Sequence, residues 1–274
     1  MFSHQLAPTA LNLNVHSPLQ AACDAAKTGG RILLEQLGKA AVREKAPADL
    51  VTDADVASQN AIRQVLTSRY PQFAFMGEES TSAEQTAAQE SGRPIWIVDP
   101  LDGTANFVHR LPGFSVSIAL VERDQVRLGV VYDPLSGALY WAGEDGPAMK
   151  DGKPIRSSEC TEISRAMACC SFPPNVHRND PTVEQFLRVL ERCQSLRRLG
   201  SAALNLCFLA EGCLDTYWAS SVKVWDVAAG YLIASRAGVV FSHVNGSDFD
   251  LWKPVFLGSA TDPLQQQMLE CVKV

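Results

Sequence analysis

The chain has 274 residues, of which 46% are hydrophobic and 20% are charged, a composition typical of a soluble globular protein with a large core. Its 24 basic and 30 acidic residues give a net charge of −6. This charge argues against a nucleic-acid backbone or an anionic membrane as the main partner. It does not exclude a small anionic substrate, because a bound cation can reverse the local charge.

The N-terminal residues 1–17 are interpreted as a tail, without the basic region and long apolar run of a secretory signal. No run approaches the roughly 18 apolar residues of a membrane span. The eight cysteines form no C-x-x-C pair and most lie in apolar stretches, which favours buried free thiols and a reducing compartment. We therefore expect a cytoplasmic protein with no membrane partner.

Periodic apolar residues predict the first elements of the chain. A helix is expected over residues 17–37 and a second over about 52–70. The segment FAFMGEES, residues 73–80, predicts a short strand that ends in a glycine and two glutamates. Residues 81–93 are polar and predict an exposed loop or a short helix.

The middle of the chain, from about residue 95, alternates apolar runs with turn signals and predicts a meander of strands. After it, strands are predicted in ISRAMACCSF, CLDTYWAS, VVFSHVNG and PVFLGSA, and helices in DPTVEQFLRVLERC, GSAALNLCFLAEG and VWDVAAGYLIASRAG, the last ended by Gly238. Together these elements predict one compact α+β unit over residues 18–274. A seam between two lobes would fall near residues 150–165.

Five acidic residues stand at or near the ends of predicted elements, and three of them adjoin a Gly or a Pro. The five are Asp55, Glu78, Asp99, Asp102 and Asp226. Each alone has an ordinary explanation, because aspartate is common at turns and helix N-caps and complements the helix dipole. As a group they suggest a site for a cation, and no pair of histidines offers a competing one.

The stretch WIVDPLDGTANF begins as a buried strand and ends in two aspartates that flank Pro100. Proline fixes its own φ, so the Leu101 carbonyl can face the same space as the two carboxylates. Such oxygen ligands suit Mg²⁺ or Ca²⁺. Gly103 then lets a ligand approach the backbone, and amides opening at Thr104 are a common way to hold phosphate. From spacing alone, phosphate-ester chemistry and an ordinary turn both stay open.

Four segments closely resemble the inositol monophosphatase family in sequence, order and spacing: DLVTDAD (49–55), GEES (77–80), WIVDPLDGTANFVHRLP (96–112) and VWDVAAGYLIASRAGVV (224–240). The resemblance covers roughly residues 18–260. It implies a layered α-β-α-β-α sandwich of the inositol monophosphatase and fructose-1,6-bisphosphatase type, usually a homodimer. It also implies a Mg²⁺-dependent, lithium-sensitive phosphatase with two or three Mg²⁺ ions per active site.

The resemblance also implies roles for individual residues. Glu78, Asp99 and the carbonyl of Leu101 would hold a first metal ion. Asp99 would hold a second together with Asp102 and Asp226. These roles agree with phosphate-ester chemistry, because cations neutralise the phosphate dianion and stabilise the leaving oxygen.

Catalytic and substrate-binding roles follow from the same resemblance. Thr104 and Asp55 would position and deprotonate the attacking water, and Glu78 with Asp55 would support a third, weaker metal. The catalytic set is therefore Glu78, Thr104 and Asp55. The implied substrate contacts are Asp102, Gly103, Thr104, Gly200, Ser201, Ala202 and Asp226.

Three positions depart from the family pattern or stay open. Ala219 stands where inositol monophosphatases have a glutamate that binds a substrate hydroxyl, seven residues before Asp226, which puts inositol specificity in doubt. Lys45 lies near the place of a family active-site lysine, but the spacing is one residue short. Lys223 either faces the substrate or is an ordinary solvated lysine.

The sequence thus predicts a Mg²⁺-dependent phosphomonoester hydrolase for a small phosphorylated polyol or sugar, with inositol 1-phosphate as the first choice. It would use metal-activated water and no phosphoenzyme. Alternatives in the same superfamily are a 3′(2′),5′-bisphosphate nucleotidase, a histidinol-phosphate phosphatase and a fructose-1,6-bisphosphatase. The alternative of another class is a non-catalytic regulator that binds a protein partner.

Overall fold

The structure, a computed structural model, describes residues 17–46, 49–173 and 175–273. Nearly all of the predicted N-terminal tail and the side chain of Lys45 lie outside the described part. The helices are α1 (Pro18–Gln36), α2 (Asp53–Arg69), α3 (Ser82–Gln89), α4 (Thr104–His109), α5 (Pro181–Leu190), α6 (Ala202–Ala210), α7 (Val224–Arg236) and α8 (Asp262–Val272). The first strands are β1 (Val42–Ala46), β2 (Asp49–Thr52), β3 (Ala74–Gly77), β4 (Ile95–Asp102), β5 (Ser115–Glu122), β6 (Gln125–Tyr132) and β7 (Leu139–Gly143). The later strands are β8 (Met149–Lys150), β9 (Lys153–Pro154), β10 (Met167–Ser171), β11 (Ser195–Arg197), β12 (Thr216–Ala219), β13 (Val240–Ser242) and β14 (Phe256–Ser259).

The larger sheet has seven strands in the chain order β3 to β9. Strand β4 runs parallel to β3 and antiparallel to β5. All eight residues of β4 are buried. Since side chains alternate across a strand, both faces of β4 are therefore covered. Trp96 and Val98 pack toward α1 and α2, and Ile95 and Ile97 toward α6 and α7.

The smaller sheet has five strands in the order β11-β10-β12-β14-β13. One face shares a core with α6 and α7, through Cys169, Tyr217 and Phe256. The other face packs on α5 and α8, through residues such as Trp218 and Leu257. The layers are therefore α1/α2, the seven-stranded sheet, α6/α7, the five-stranded sheet and α5/α8. This confirms the α+β class and the layered α-β-α-β-α sandwich.

Most predicted elements are found near their expected bounds. Helix α1 begins after the N-cap Ser17, whose hydroxyl accepts the Gln20 N–H at 3.2 Å. Helix α7 ends just before Gly238, which has a φ of +98°. The polar segment 81–93 contains the short helix α3. The hairpin of β1 and β2 and the C-terminal helix α8 were not predicted.

The chain leaves the larger sheet at Pro154 and enters the smaller one at Met167. The division of the chain into two lobes with a seam there remains a prediction. Within the described ranges, every helix is too short or too polar to cross a membrane.

Candidate active site

The end of β4 contains a bulge that sets the spacing of two aspartates. Asp99 pairs with Ser117 of β5 and Asp102 pairs with Ser115, so three steps on β4 oppose two on β5. The Leu101 N–H donates to Asp99 Oδ1 at 2.9 Å and tightens this turn. A bulge re-aims side chains where pairing ends, which here places both carboxylates at one cavity.

Gly103 makes the sharp turn from β4 into α4. Its φ of +94° lies in the left-handed region, and a Cβ there would lie 2.8 Å from the Gly113 carbonyl oxygen. Helix α4 then begins at Thr104, whose hydroxyl lies 3.1 Å from the Leu101 carbonyl oxygen. The same hydroxyl lies 3.5 Å from Asp55 Oδ1. Two segments nearly 50 residues apart in sequence therefore meet at this hydroxyl.

Asp55 is the third residue of α2 and takes part in its capping box with Thr52. Its Oδ2 accepts the Thr52 N–H at 2.8 Å and the Thr52 hydroxyl at 2.6 Å. The side chain is buried, with 1% of its surface exposed. Burial raises the pKa of Asp55 to about 6, while the hydrogen bonds from Thr52 lower it.

Asp102 connects β4 to the start of α6. Its carboxylate accepts the Ser201 hydroxyl, the Ala202 N–H at 3.1 Å and the Ala203 N–H at 2.8 Å. Ser115 Oγ lies farther away, at 3.5 Å. Burial raises the pKa of Asp102 above its ordinary value, and these hydrogen bonds lower it. The amides at a helix N-terminus thus hold a buried carboxylate.

Glu78 and Asp226 approach the same space from two other elements. The Glu78 N–H donates to the Val98 carbonyl at 3.0 Å, which fixes the residue beside the end of β4. Asp226 is the third residue of α7, and its Oδ2 accepts the Lys223 N–H at 2.7 Å. Burial first, and then the Asp102 charge, raise the pKa of Asp226 to about 8.

These carboxylates form an acidic cluster in which neighbouring charges disfavour the ionisation of Asp99 and Asp226. Burial raises the pKa of Asp99 well above its ordinary value, and the charges of Glu78, Asp102 and Asp226 raise it further. A divalent cation would remove that cost, and carboxylate and carbonyl oxygens are the donors that Mg²⁺ prefers. The donor set therefore fits Mg²⁺. Among the described residues, no three His, Cys, Asp or Glu side chains already form a group that could hold a metal ion.

A cavity of about 310 Å³ opens onto this cluster. It brings together nine of the eleven site residues predicted from the sequence: Glu78, Asp99, Leu101, Asp102, Gly103, Thr104, Gly200, Ala202 and Asp226. Asp55 and Ser201, each 1% exposed, lie buried behind its wall. The Ser201 hydroxyl is turned toward Asp102, so its predicted substrate contact remains a prediction.

The cavity also has lining residues that the sequence analysis did not identify. Arg198 is exposed, and its guanidinium lies 5.3 Å from the centre of the Phe172 ring. Arg198 stands two residues before Gly200, which was predicted to contact the substrate. Its position in the segment RRLGSAAL could therefore have identified it as a site residue. Among the described lining residues it is the one cationic side chain at this cavity.

A second cavity, of about 400 Å³, lies between α3 and the segments 222–225 and 252–255. Among the described residues that line it there is no carboxylate, so its larger size does not make it the metal site. Lys223 is exposed and lines this second cavity, and it is not among the residues of the acidic one. Ala219 is buried at the end of β12, paired with Ser171, which does line the acidic cavity.

Comparisons with known proteins agree with this geometry. The family model described as "Inositol monophosphatase family" matches residues 14–273. The chain is 38% identical over 246 residues to "Inositol monophosphatase 3" of Solanum lycopersicum, which covers 88% of this chain and 91% of that protein. It is 37% identical over 203 residues to "Nus factor SuhB" of Pasteurella multocida, with 74% of each chain covered.

A solved structure shows the same fold. The extragenic suppressor protein suhB of Bartonella henselae superposes with a TM-score of 0.86 at 29% identity, over 93% of this chain and 97% of that one. The family match spans nearly the whole chain and includes the acidic cavity. This chain therefore belongs to the inositol monophosphatase family, whose members are metal-dependent phosphatases.

Proposed function

We propose that this chain is a Mg²⁺-dependent phosphomonoester hydrolase for a small phosphorylated polyol or sugar, with inositol 1-phosphate as the first substrate to test. The observation that carries the proposal is the acidic cluster at the end of β4, which opens onto a cavity of about 310 Å³ beside the Gly103 turn. The charges of Glu78 and Asp102 raise the pKa of both Asp99 and Asp226, so the site is suited to divalent cations.

The proposed metal ligands are the carboxylates of the cluster and one backbone oxygen. Glu78, Asp99 and the Leu101 carbonyl would hold one ion, and Asp102 and Asp226 would hold a second together with Asp99. When bound, Mg²⁺ supplies Lewis acidity that activates water and stabilises the leaving oxygen of a phosphate ester. The chain's own contribution is to fix these oxygens through β4 and the first turn of α7.

Thr104 and Asp55 are the proposed route for the proton of the attacking water. The Thr104 hydroxyl lies 3.5 Å from Asp55 Oδ1, so it can pass a proton to that oxygen while it receives one from water. The Asp55 pKa of about 6 leaves this carboxylate ionised and able to accept a proton at pH 7 to 8. No side chain needs to become phosphorylated.

The substrate would lie between the Gly103 turn and the start of α6. The amides of Gly103 and Thr104 would bind phosphate, and Gly200 and Ala202 also line the cavity. Arg198 at the rim adds a positive charge for an anionic substrate. Ala219 removes a hydroxyl contact that inositol monophosphatases have, so other small phosphorylated polyols and sugars belong in the same assay.

The test is phosphate release across a panel of substrates: inositol 1-phosphate, fructose 1,6-bisphosphate, histidinol phosphate, 3′-phosphoadenosine 5′-phosphate and glycerol 2-phosphate. Each is measured with Mg²⁺, with chelator, and with Mg²⁺ plus Li⁺. We expect turnover that requires Mg²⁺ and is inhibited by Li⁺, and its loss in Asp99→Asn with the fold retained. Full activity in Asp99→Asn would contradict the site assignment, and hydrolysis of another panel member alone would replace inositol 1-phosphate as the substrate.

A regulatory role is the second candidate, favoured by the similarity to a relative described as a Nus factor. Folded, metal-binding protein that hydrolyses none of the panel would move the proposal to a protein-binding role.

We further propose a cytoplasmic homodimer. All eight cysteines are free, which fits a reducing compartment, and sedimentation of the purified chain tests the dimer.

A further inference from the structure

The turn over residues 77–80, which carries Glu78, is held by the side-chain amides of two glutamines from different helices. The Glu79 N–H donates to Gln59 Oε1 of α2 at 2.9 Å. Gln85 Nε2 of α3 lies 3.1 to 3.3 Å from three carbonyl oxygens of the same turn. Those carbonyls belong to Gly77, Glu78 and Ser80. We call Gln59 and Gln85 the glutamine clamp.

The packing of Gly77 shows how closely the clamp fits. A Cβ at Gly77 would lie 2.1 Å from Gln59 Oε1 and 2.5 Å from its Cδ, so the amide group of Gln59 lies directly against this backbone. Gln59 itself is only 5% exposed. A buried, packed side chain has few other conformations, so its acceptor oxygen is fixed in place.

Helix α2 connects the clamp to the rest of the acidic cluster. Gln59 is four residues after Asp55, so the two side chains lie on the same face of the helix. Between them in sequence, Ser58 donates a hydrogen bond from Oγ to the Pro100 carbonyl at 3.1 Å. One helix therefore fixes Asp55, the β4 bulge and the Glu78 turn relative to one another.

The clamp consists of neutral amides in a region that already holds several carboxylates. A glutamate at position 59 would still accept the Glu79 N–H, because a carboxylate oxygen replaces the amide oxygen. A glutamate at position 85 would instead place a negative charge against three carbonyl oxygens and would lose the donor. The two positions are thus predicted to respond differently to the same substitution.

We propose that Gln59 and Gln85 are positioning residues that hold the Glu78 carboxylate ready for a divalent cation. The proposal rests on the proposed function, in which Glu78 is a metal ligand. The alternative is that the two amides only satisfy buried backbone groups, as side chains commonly do. A structural role would change stability alone, whereas a positioning role changes metal affinity, because partners that orient a ligand typically contribute about 10-fold to 100-fold to it.

The experiment measures binding of Mn²⁺ by electron paramagnetic resonance and of Mg²⁺ by calorimetry, together with thermal melting. The variants are Gln59→Leu, Gln59→Glu, Gln85→Ala and Gln85→Glu. Gln89→Ala is the matched control, because Gln89 is an exposed glutamine one turn later on α3. The Gln85 variants keep the test independent of the buried position, since Gln85 is only half-buried and alanine favours a helix.

We expect metal binding to weaken about tenfold or more in Gln59→Leu and Gln85→Ala, to be retained in Gln59→Glu and Gln89→Ala, and to be weakest in Gln85→Glu. The KM for Mg²⁺ should rise while the KM for substrate stays within about twofold. Unchanged affinity in Gln59→Leu and Gln85→Ala, with only a lower melting temperature, would overturn the proposal. Glu78→Gln separates the two failures: if it binds metal like the original chain, the ligand assignment of the proposed function is what is wrong.

Discussion

The Ser201 hydroxyl has three hydrogen-bond partners, one of which is Ser115 Oγ at 3.3 Å. The loss of the other two can be measured separately from its predicted contact with substrate. The hydroxyl donates to the Asp102 carboxylate, and it accepts the Leu204 N–H at 3.2 Å as the N-cap of α6. Loss of an N-cap costs about 1 kcal/mol. Loss of a hydrogen bond to a charged group costs about 1.5–3 kcal/mol. We therefore expect Ser201→Ala to lower the free energy of unfolding by about 3 kcal/mol in metal-free protein.

The matched control is Ser17→Ala, because the Ser17 hydroxyl accepts the Gln20 N–H at the same 3.2 Å but contacts no carboxylate of the cluster. The control should lose about 1 kcal/mol. For a chain of this size, 1 kcal/mol corresponds to roughly 2–4 °C in melting temperature. Ser201→Ala should therefore melt several degrees below Ser17→Ala in thermal denaturation followed by circular dichroism.

The same variant separates two roles for Ser201. If its hydroxyl acts through Asp102, Mg²⁺ affinity falls and the KM for substrate is little changed. If it touches the substrate, as the family resemblance implies, the KM for substrate rises and Mg²⁺ affinity is retained. A melting temperature equal to that of Ser17→Ala, with normal Mg²⁺ binding, would refute the reasoning from the structure.

Three further results are expected. Gly103→Ala should lower activity and stability far more than Gly137→Ala in activity and melting assays. Both glycines have a positive φ, but of the two only Gly103 has backbone within 3 Å of an added Cβ. In native protein, a thiol reagent should modify Cys213 first, because it is the exposed cysteine among the eight, with mass spectrometry as the readout. Metal-free protein should lose stability as pH rises from about 4 to about 8, because the raised pKa values of Asp55 and Asp226 keep protons bound in the folded state that the unfolded chain has lost. Mg²⁺ should remove most of that loss. A melting temperature of the metal-free protein that increases over this pH range would contradict the prediction.

The layered fold followed from the family motifs, and most elements followed from apolar periodicity. Helix α8 was missed although its pattern is present, with Leu264, Met268, Cys271 and Val272 buried at helical spacing. Three consecutive glutamines mask that pattern in the sequence. The hairpin of β1 and β2 was missed because its residues, VREKA and DLVT, are mostly polar and lack a clear alternation.

The carboxylates of the site were predictable because each stands in a recognisable motif. Their partners were not, because they come from distant parts of the chain. Asp102 is bound by the start of α6, about 100 residues later, and Gln59 contacts a turn 20 residues away. Contacts of this kind depend on how the layers pack, and neither spacing nor composition encodes them locally.

Helix N-termini, rather than basic side chains, stabilise the buried carboxylates of the acidic cluster, and the cluster therefore remains available for cations. Asp55 and Asp226 each lie in the first turn of a helix, and Asp102 accepts two amides from the start of a third. The positive ends of α2, α6 and α7 therefore lie next to these carboxylates and offset part of the cost of burying them. Backbone amides do so without adding a full positive charge. A lysine or arginine paired with each aspartate would also have stabilised the fold. It would, however, have neutralised the negative charge of the carboxylates that attracts a divalent cation.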